Sequence, residues 1–312
     1  MRSLITGVAG FVGRYLALAC LHAGDDVHGI GRGHIHDDLN IDYHQADLRD
    51  RDRMDDVLRT VRPDVVYHLA AQSNVAEAWR DPAATLSNNL VTQANLFQSC
   101  IEAGLAPIIV SVGSSDCYGR IDPACIPINE DTPFRPTNPY GVSKASQDLL
   151  SFQYFASHRL PIIRMRPFNH IGPGQSDRFA VAAFVRQIVD IEHGTRDPIL
   201  HVGDLSPVRD FTDVRDVVTA YRVAALRGVA GEAYNIGSGH GTPIRTVVDE
   251  LLSMTTTPIR LHVSEDRLRP VEVPVMICDA SKFCRTTGWQ PRVALRQSLV
   301  DILDAQRRIV AR

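Results

Sequence analysis

A glycine-punctuated turn near the N-terminus does most to constrain this chain. Thr6-Gly-Val-Ala-Gly-Phe-Val-Gly13 follows a short apolar run over 2–6 and opens a stretch over 11–23 with apolar residues at helical spacing. Strand, tight turn, helix is the opening of a βα unit, and the pattern repeats. Apolar runs predict strands over 26–30, 41–45, 65–69, 107–112 and 161–166. Helical periodicity predicts helices over 52–60, 82–103 and 140–158, the last with Leu149, Phe152 and Phe155 on one side. Continuous apolar strands alternating with helices predict an α/β fold with a doubly wound parallel sheet covered on both faces. Ligands of such folds bind at the carboxyl ends of the strands.

After Pro167 the rhythm loosens and Gly and Pro become frequent. Helices are expected over 179–193, 217–226, 244–254 and 295–308, with a strand over 233–236. The expected division is a Rossmann-type unit over 1–166 with about 209–236, and a smaller mixed α/β substrate unit over 167–208 and 237–312. Composition narrows the class further. The 312 residues are 44% hydrophobic and 22% charged, enough apolar side chain for a large core. A net charge of −3 leaves no basic excess for nucleic acid. No apolar run approaches a membrane span, and the start does not resemble a signal peptide. The six cysteines, Cys20, Cys100, Cys117, Cys125, Cys278 and Cys284, form no CxxC pair, which fits a reducing cytoplasm and no zinc. The 12 histidines show no metal-ligand spacing, so His68 and His170 are read as structural or supporting groups. Trp79 and Trp289 are read as packing residues.

Gly7, Gly10 and Gly13 give a GxxGxxG spacing. Its chemistry is a tight turn whose backbone N–H groups approach a pyrophosphate at a helix N-terminus. The bland alternative is a purely structural turn. Binders of NAD usually carry an acid at the end of the second strand; here that strand ends in Gly31-Arg32-Gly33, and Arg32 suits a 2′-phosphate instead. The expected cofactor is therefore NADP(H), with NAD(H) as the alternative. Asp47 and Leu48, after the third strand, suit the adenine; the alternative for Asp47 is a helix cap.

Tyr140-Gly-Val-Ser-Lys144 opens a helix, and positions four apart share a face. A nearby ammonium is expected to lower the phenol's pKa and make Tyr140 a general acid/base. Only two of the 33 basic residues are Lys, Lys144 and Lys282, so a Lys kept here points to chemistry that Arg cannot do. Upstream, a strand leads into Gly113-Ser-Ser-Asp-Cys-Tyr-Gly119, where a Ser hydroxyl at a strand end would bind a reacting oxygen.

These pieces resemble the extended short-chain dehydrogenases/reductases of nucleotide sugars. The resemblance spans roughly 1–308 and rests on TGVAGFVG (6–13), HLAA (68–71), GSSDCYG (113–119), NPYGVSK (138–144), RPFNHIGPGQ (166–175), RDFTDVRD (209–216) and the Arg-Pro pair at 269–270. Within that family, FNHIGPGQ and VRDFTDVRD are most similar to the reductases of GDP-4-keto-6-deoxy-D-mannose, which make GDP-D-rhamnose. The GDP-mannose 4,6-dehydratases are the nearest alternative, with an epimerase also open. The resemblance implies that Tyr140 protonates the oxygen at carbon 4, Lys144 binds the nicotinamide ribose, and Ser114 holds the keto oxygen. It implies that Gly7, Gly10, Phe11, Val12 and Gly13 wrap the pyrophosphate, and that Leu69, Ala70 and Ala71 line the ribose side. Asn169, Arg209 and Arg269 would meet the sugar diphosphate of a GDP-linked substrate. Dehydratases of this family carry a Glu two positions after the Ser or Thr, as a base. Here the residue is Asp116, one methylene shorter, which disfavours dehydration. The family often dimerises through the helices near 82–103 and 140–158, so a homodimer is expected.

Overall fold

A computed structural model of the chain describes residues 1–35, 38–267, 271 and 273–311. Arg269 lies outside the described residues. The first half runs β1 (Arg2–Thr6), α1 (Phe11–His22), β2 (Asp26–Gly31), β3 (Asp42–Gln45), α2 (Arg51–Val61), β4 (Val65–His68), α3 (Val75–Arg80), α4 (Pro82–Glu102), β5 (Ile108–Val112), α5 (Pro139–His158) and β6 (Ile162–Pro167). The second half runs β7 (Asn169–Ile171), α6 (Ala180–Glu192), β8 (Ile199–Val202), β9 (Val208–Asp213), α7 (Val214–Arg227) and β10 (Ala233–Ile236). It closes with β11 (Gly241–Pro243), α8 (Ile244–Ser253), β12 (Arg260–Val263), β13 (Val275–Met276), α9 (Ser281–Thr287) and α10 (Leu295–Val310).

Seven strands form one parallel sheet in the order β10-β6-β5-β4-β1-β2-β3. The order reverses between β1 and β4, which opens a crevice at the strands' carboxyl ends. One face is covered by α1 and α7 through Leu16, Ala17, Cys20, Val217, Tyr221 and Ala224. The other face is covered by α2 and α4 through Met54, Leu58, Leu96 and Phe97. A separate core joins α6, α8 and α10 through Phe184, Ile188, Val248, Leu299 and Leu303. Beside it, β9 is flanked by antiparallel β11 and parallel β13 and β7, and β8 pairs with β12.

Several elements differ from the sequence reading. The short α3 was not expected, nor were β7, β8, β9, β11, β12, β13 and α9. The reason is clearest in β9, where Arg209, Asp210, Thr212 and Asp213 are all buried. A strand whose inward groups are polar has no apolar alternation to read. The acids are occupied by the fold: Asp210 accepts from the Ser238 and Gly239 amides at 2.8 Å each, and Asp213 accepts from Ser298 Oγ at 2.6 Å.

The apolar side of α5 also faces the other way. Leu149 is 61% and Phe152 48% exposed, while Ser143, Gln147, Asp148 and Ser151 are buried. The two long helices pack through hydrogen bonds instead. Gln93 Nε2 donates to Ser151 Oγ at 2.9 Å and to the Gln147 carbonyl at 2.7 Å, and Asn89 Nδ2 donates to Ser143 Oγ at 2.9 Å.

Candidate active site

The glycine turn is built for close approach. Gly7 sits at φ +72°, and a Cβ added there would stand 3.0 Å from Ala70 N and Cα. A Cβ on Gly13 would stand 2.6 Å from Val8 Cα, so the α1 backbone comes closer to the turn than any side chain allows. Gly10 precedes α1 in an extended conformation and supplies no side-chain cap. The first N–H groups of α1 are therefore not met by a cap, and they point where an anion would sit. Thr6 ties the turn to the end of β4. Its Oγ1 accepts from the Leu69 and Ala70 amides, both at 3.1 Å, so its one O–H is left for His68 Nδ1 at 3.0 Å. Burial pushes His68 down to about 3, and it serves as a neutral structural acceptor.

Around this turn lies a cleft of about 1270 Å³. Gly7, Gly10, Phe11, Val12 and Gly13 line one end. Arg32, Asp47, Leu48, Leu69, Ala70 and Ala71 line the same cleft. Asp47 does not cap α2, since Asp50 does, accepting from Arg53 N at 3.2 Å. Arg49 binds Asp47 through both Nε and Nη2 and holds its carboxyl down at about 2.

Ser114, Asp116, Tyr140 and Lys144 line the middle of the cleft. Asn138 caps α5, its Oδ1 accepting from Gly141 N at 2.7 Å, and Pro139 fixes the first turn. Gly141 lets the helix touch the Ser114 loop, because a Cβ there would stand 2.5 Å from the Asp116 carbonyl oxygen. Asp116 N in turn donates to Ser114 Oγ at 3.2 Å. The Lys144 ammonium donates to the Val112 carbonyl at 2.9 Å and stands 5.9 Å from the Tyr140 ring centre. The electrostatics differ from the sequence reading. Burial, with the Asp116 charge behind it, raises the Tyr140 pKa above its ordinary value, while the Ser114 hydroxyl pulls the other way. Burial also drops Lys144 to about 7. Each group is pushed toward its neutral form because the site withholds water from both.

Asn169 and Arg209 line the far end of the same cleft, on β7 and β9. Two residues read as structural from sequence also reach it. His170 lines the cleft and stacks on Phe11 with ring centres 6.4 Å apart and planes 7° apart. Trp79 lines it from α3 and is 43% exposed, whereas Trp289 is packed at 4%. The signal for His170 was its place beside Asn169 in one motif. Trp79 carried no such signal.

A wound parallel sheet with a phosphate-type turn and a Ser–Tyr–Lys cleft at its strand ends matches known proteins over its whole length. The model of the GDP-mannose 4,6 dehydratase family matches residues 4–302, and the chain belongs to that family. It is 36% identical over 305 residues to GDP-6-deoxy-D-mannose reductase of Pseudomonas aeruginosa, covering 97% of this chain and 96% of that one. It is 25% identical to GDP-mannose 4,6-dehydratase of Vibrio cholerae, covering 100% and 95% of the two chains. Among solved structures, RMD from Pseudomonas aeruginosa complexed with NADPH superposes with a TM-score of 0.89, at 33% identity over 99% of this chain and 100% of that one. UDP-glucose 4-epimerase of Thermus thermophilus in complex with NAD gives 0.87, at 26% identity over 98% and 99%.

Proposed function

We propose that this protein is an NADP(H)-dependent reductase of a GDP-linked 4-keto-6-deoxyhexose, converting GDP-4-keto-6-deoxy-D-mannose to GDP-D-rhamnose. The observation that carries the reading is the meeting of Ser114, Tyr140 and Lys144 in one cleft with the glycine turn. The residues fit NADP(H): a glycine cradle and an uncapped helix for the pyrophosphate, and an exposed Arg32 in the same cleft for the 2′-phosphate. NADPH, when bound, supplies a hydride to carbon 4. Tyr140 delivers the proton to the oxygen, and its raised pKa keeps that proton on the phenol at neutral pH until it is needed. Ser114 Oγ holds the carbonyl oxygen, and Lys144 orients the nicotinamide ribose. Asn169 and Arg209 take the sugar diphosphate at the far end. NAD(H) is the alternative cofactor. The reading places the enzyme in the cytoplasm, as a homodimer joined through α4 and α5; none of its described helices is long and apolar enough to cross a membrane.

A second reading is GDP-mannose 4,6-dehydration with a recycled cofactor. It is favoured by the matching family model and by Asp116 lining the cleft beside Ser114. One assay separates the two. Purified protein is mixed with NADPH and either GDP-4-keto-6-deoxymannose or GDP-mannose, following nicotinamide absorbance and the sugar products. NADPH loss with the keto sugar alone is expected, with GDP-D-rhamnose as the product. Conversion of GDP-mannose without NADPH loss would give the site to the dehydratase. Tyr140→Phe is expected to cut turnover by roughly 10²–10⁴-fold with NADPH affinity near normal; wild-type turnover in that variant would refute the proton-donor role.

A further inference from the structure

Helix α3 presents one face to the cleft. Val75, Ala76 and Trp79, at i, i+1 and i+4, line it together, while Ala78 is buried behind them. No charge stands on this face; Glu77 and Arg80 bind one another at 2.6 Å. The segment leading into α3 is held firmly. Gln72 N donates to Asn89 Oδ1 at 2.7 Å, Gln72 Nε2 donates to Thr85 Oγ1 at 3.1 Å, and Asn74 Oδ1 caps the helix by accepting from Glu77 N at 2.9 Å. Across the cleft, Asn74 Nδ2 reaches the Arg178 carbonyl at 3.5 Å. A well-anchored helix thus holds a large aromatic ring 43% open to solvent at the site. Leaving that ring wet forgoes one of the largest apolar burials any side chain offers.

We infer that Trp79 is the platform on which the hexose ring of the substrate stacks. The inference rests on the reading above and assigns one part of that substrate to one residue. The diphosphate of such a ligand belongs to Asn169 and Arg209, so the uncharged α3 face receives an uncharged part. That part is the sugar rather than the base, because α3 is tied to the reacting end of the cleft. Asn89 links the Gln72 amide to Ser143 Oγ, and Ser143 Oγ donates to the Tyr140 carbonyl at 2.7 Å. A 6-deoxyhexose offers ring C–H groups and a methyl, the surface an indole covers well.

The chain's own fluorescence tests this, because Trp79 and Trp289 are the only two tryptophans and Trp289 is buried with its indole N–H on the Asp216 carbonyl at 3.1 Å. With the NADP⁺-loaded protein, GDP-rhamnose or GDP-mannose is expected to shift or quench tryptophan emission, and GDP alone to leave it unchanged. Trp79→Ala is expected to remove that response and raise KM for the keto sugar roughly tenfold, with Trp79→Phe close to wild type and kcat and Tm little changed. Sugar nucleotides that bind and turn over with unchanged emission and a wild-type KM in Trp79→Ala would overturn the stacking role alone. An equal response to GDP would assign the ring to the base and overturn it too. If calorimetry finds no sugar nucleotide binding at all, the proposed function fails and takes this inference with it.

Discussion

Tyr140 and Lys144 show how far residue identity reaches. Their spacing announced a shared face and a shared cleft, and the glycine turn announced where that cleft would lie. Their titration was not legible, because it depends on burial that no motif spells out. Lys144 at about 7 in the folded protein, against an ordinary 10.5, binds fewer protons folded than unfolded across that interval. Folding stability therefore rises with pH from about 7 to 10.5 on this group's account, and the full penalty is present below 7. Substituting Lys144→Met removes that dependence. The Tm difference, variant minus wild type, is expected to be largest below pH 7 and to shrink by several degrees as pH approaches 10. A difference flat across that range would mean that Lys144 is not buried as an ammonium at low pH. At the same scale, RDFTDVRD carried the family resemblance with Arg209 as its expected ligand residue; Arg209 lines the cleft, while Asp210 and Asp213 are spent on the fold.

Among the elements, those built on apolar periodicity were legible to within a few residues, as with α1, α8 and β10. Those built on buried polar groups were not: β9 hid behind its acids, and α3 is too short to show a period. Contact between elements depends on absences as well. Gly141 is the clearest case, since the Asp116 carbonyl occupies the space a Cβ would need. Gly141→Ala is expected to push α5 off the Ser114 loop, costing about 1–3 kcal/mol of stability. It should also cut kcat by roughly 10²-fold while NADPH affinity holds, because Tyr140 would move away from Ser114. An alanine variant with wild-type kcat would show that the loop and helix need not touch.

The whole molecule carries a second message on its surface. Val91, Val142, Leu149 and Phe152 leave an apolar stripe exposed on α4 and α5, although the two helices meet each other through polar Asn89, Gln93, Ser143 and Ser151. Such an inversion is what a helix pair facing a second copy of itself would show. Leu149→Arg is expected to halve the mass seen by sedimentation equilibrium. A wild-type protein that already sediments as a monomer would remove the interface.

The position of β10 matters beyond the site. It completes the large sheet by pairing in parallel with β6, pairing Ala233 with Arg164 and Ile236 with Pro167. Everything from β7 to α7 intervenes in the chain, and part of it belongs to the other core. As the polypeptide leaves the ribosome, β6 is therefore a raw edge until that intervening segment has been made. For that interval the β6 edge lacks its neighbour, and an unpaired strand edge is open to wrong partners.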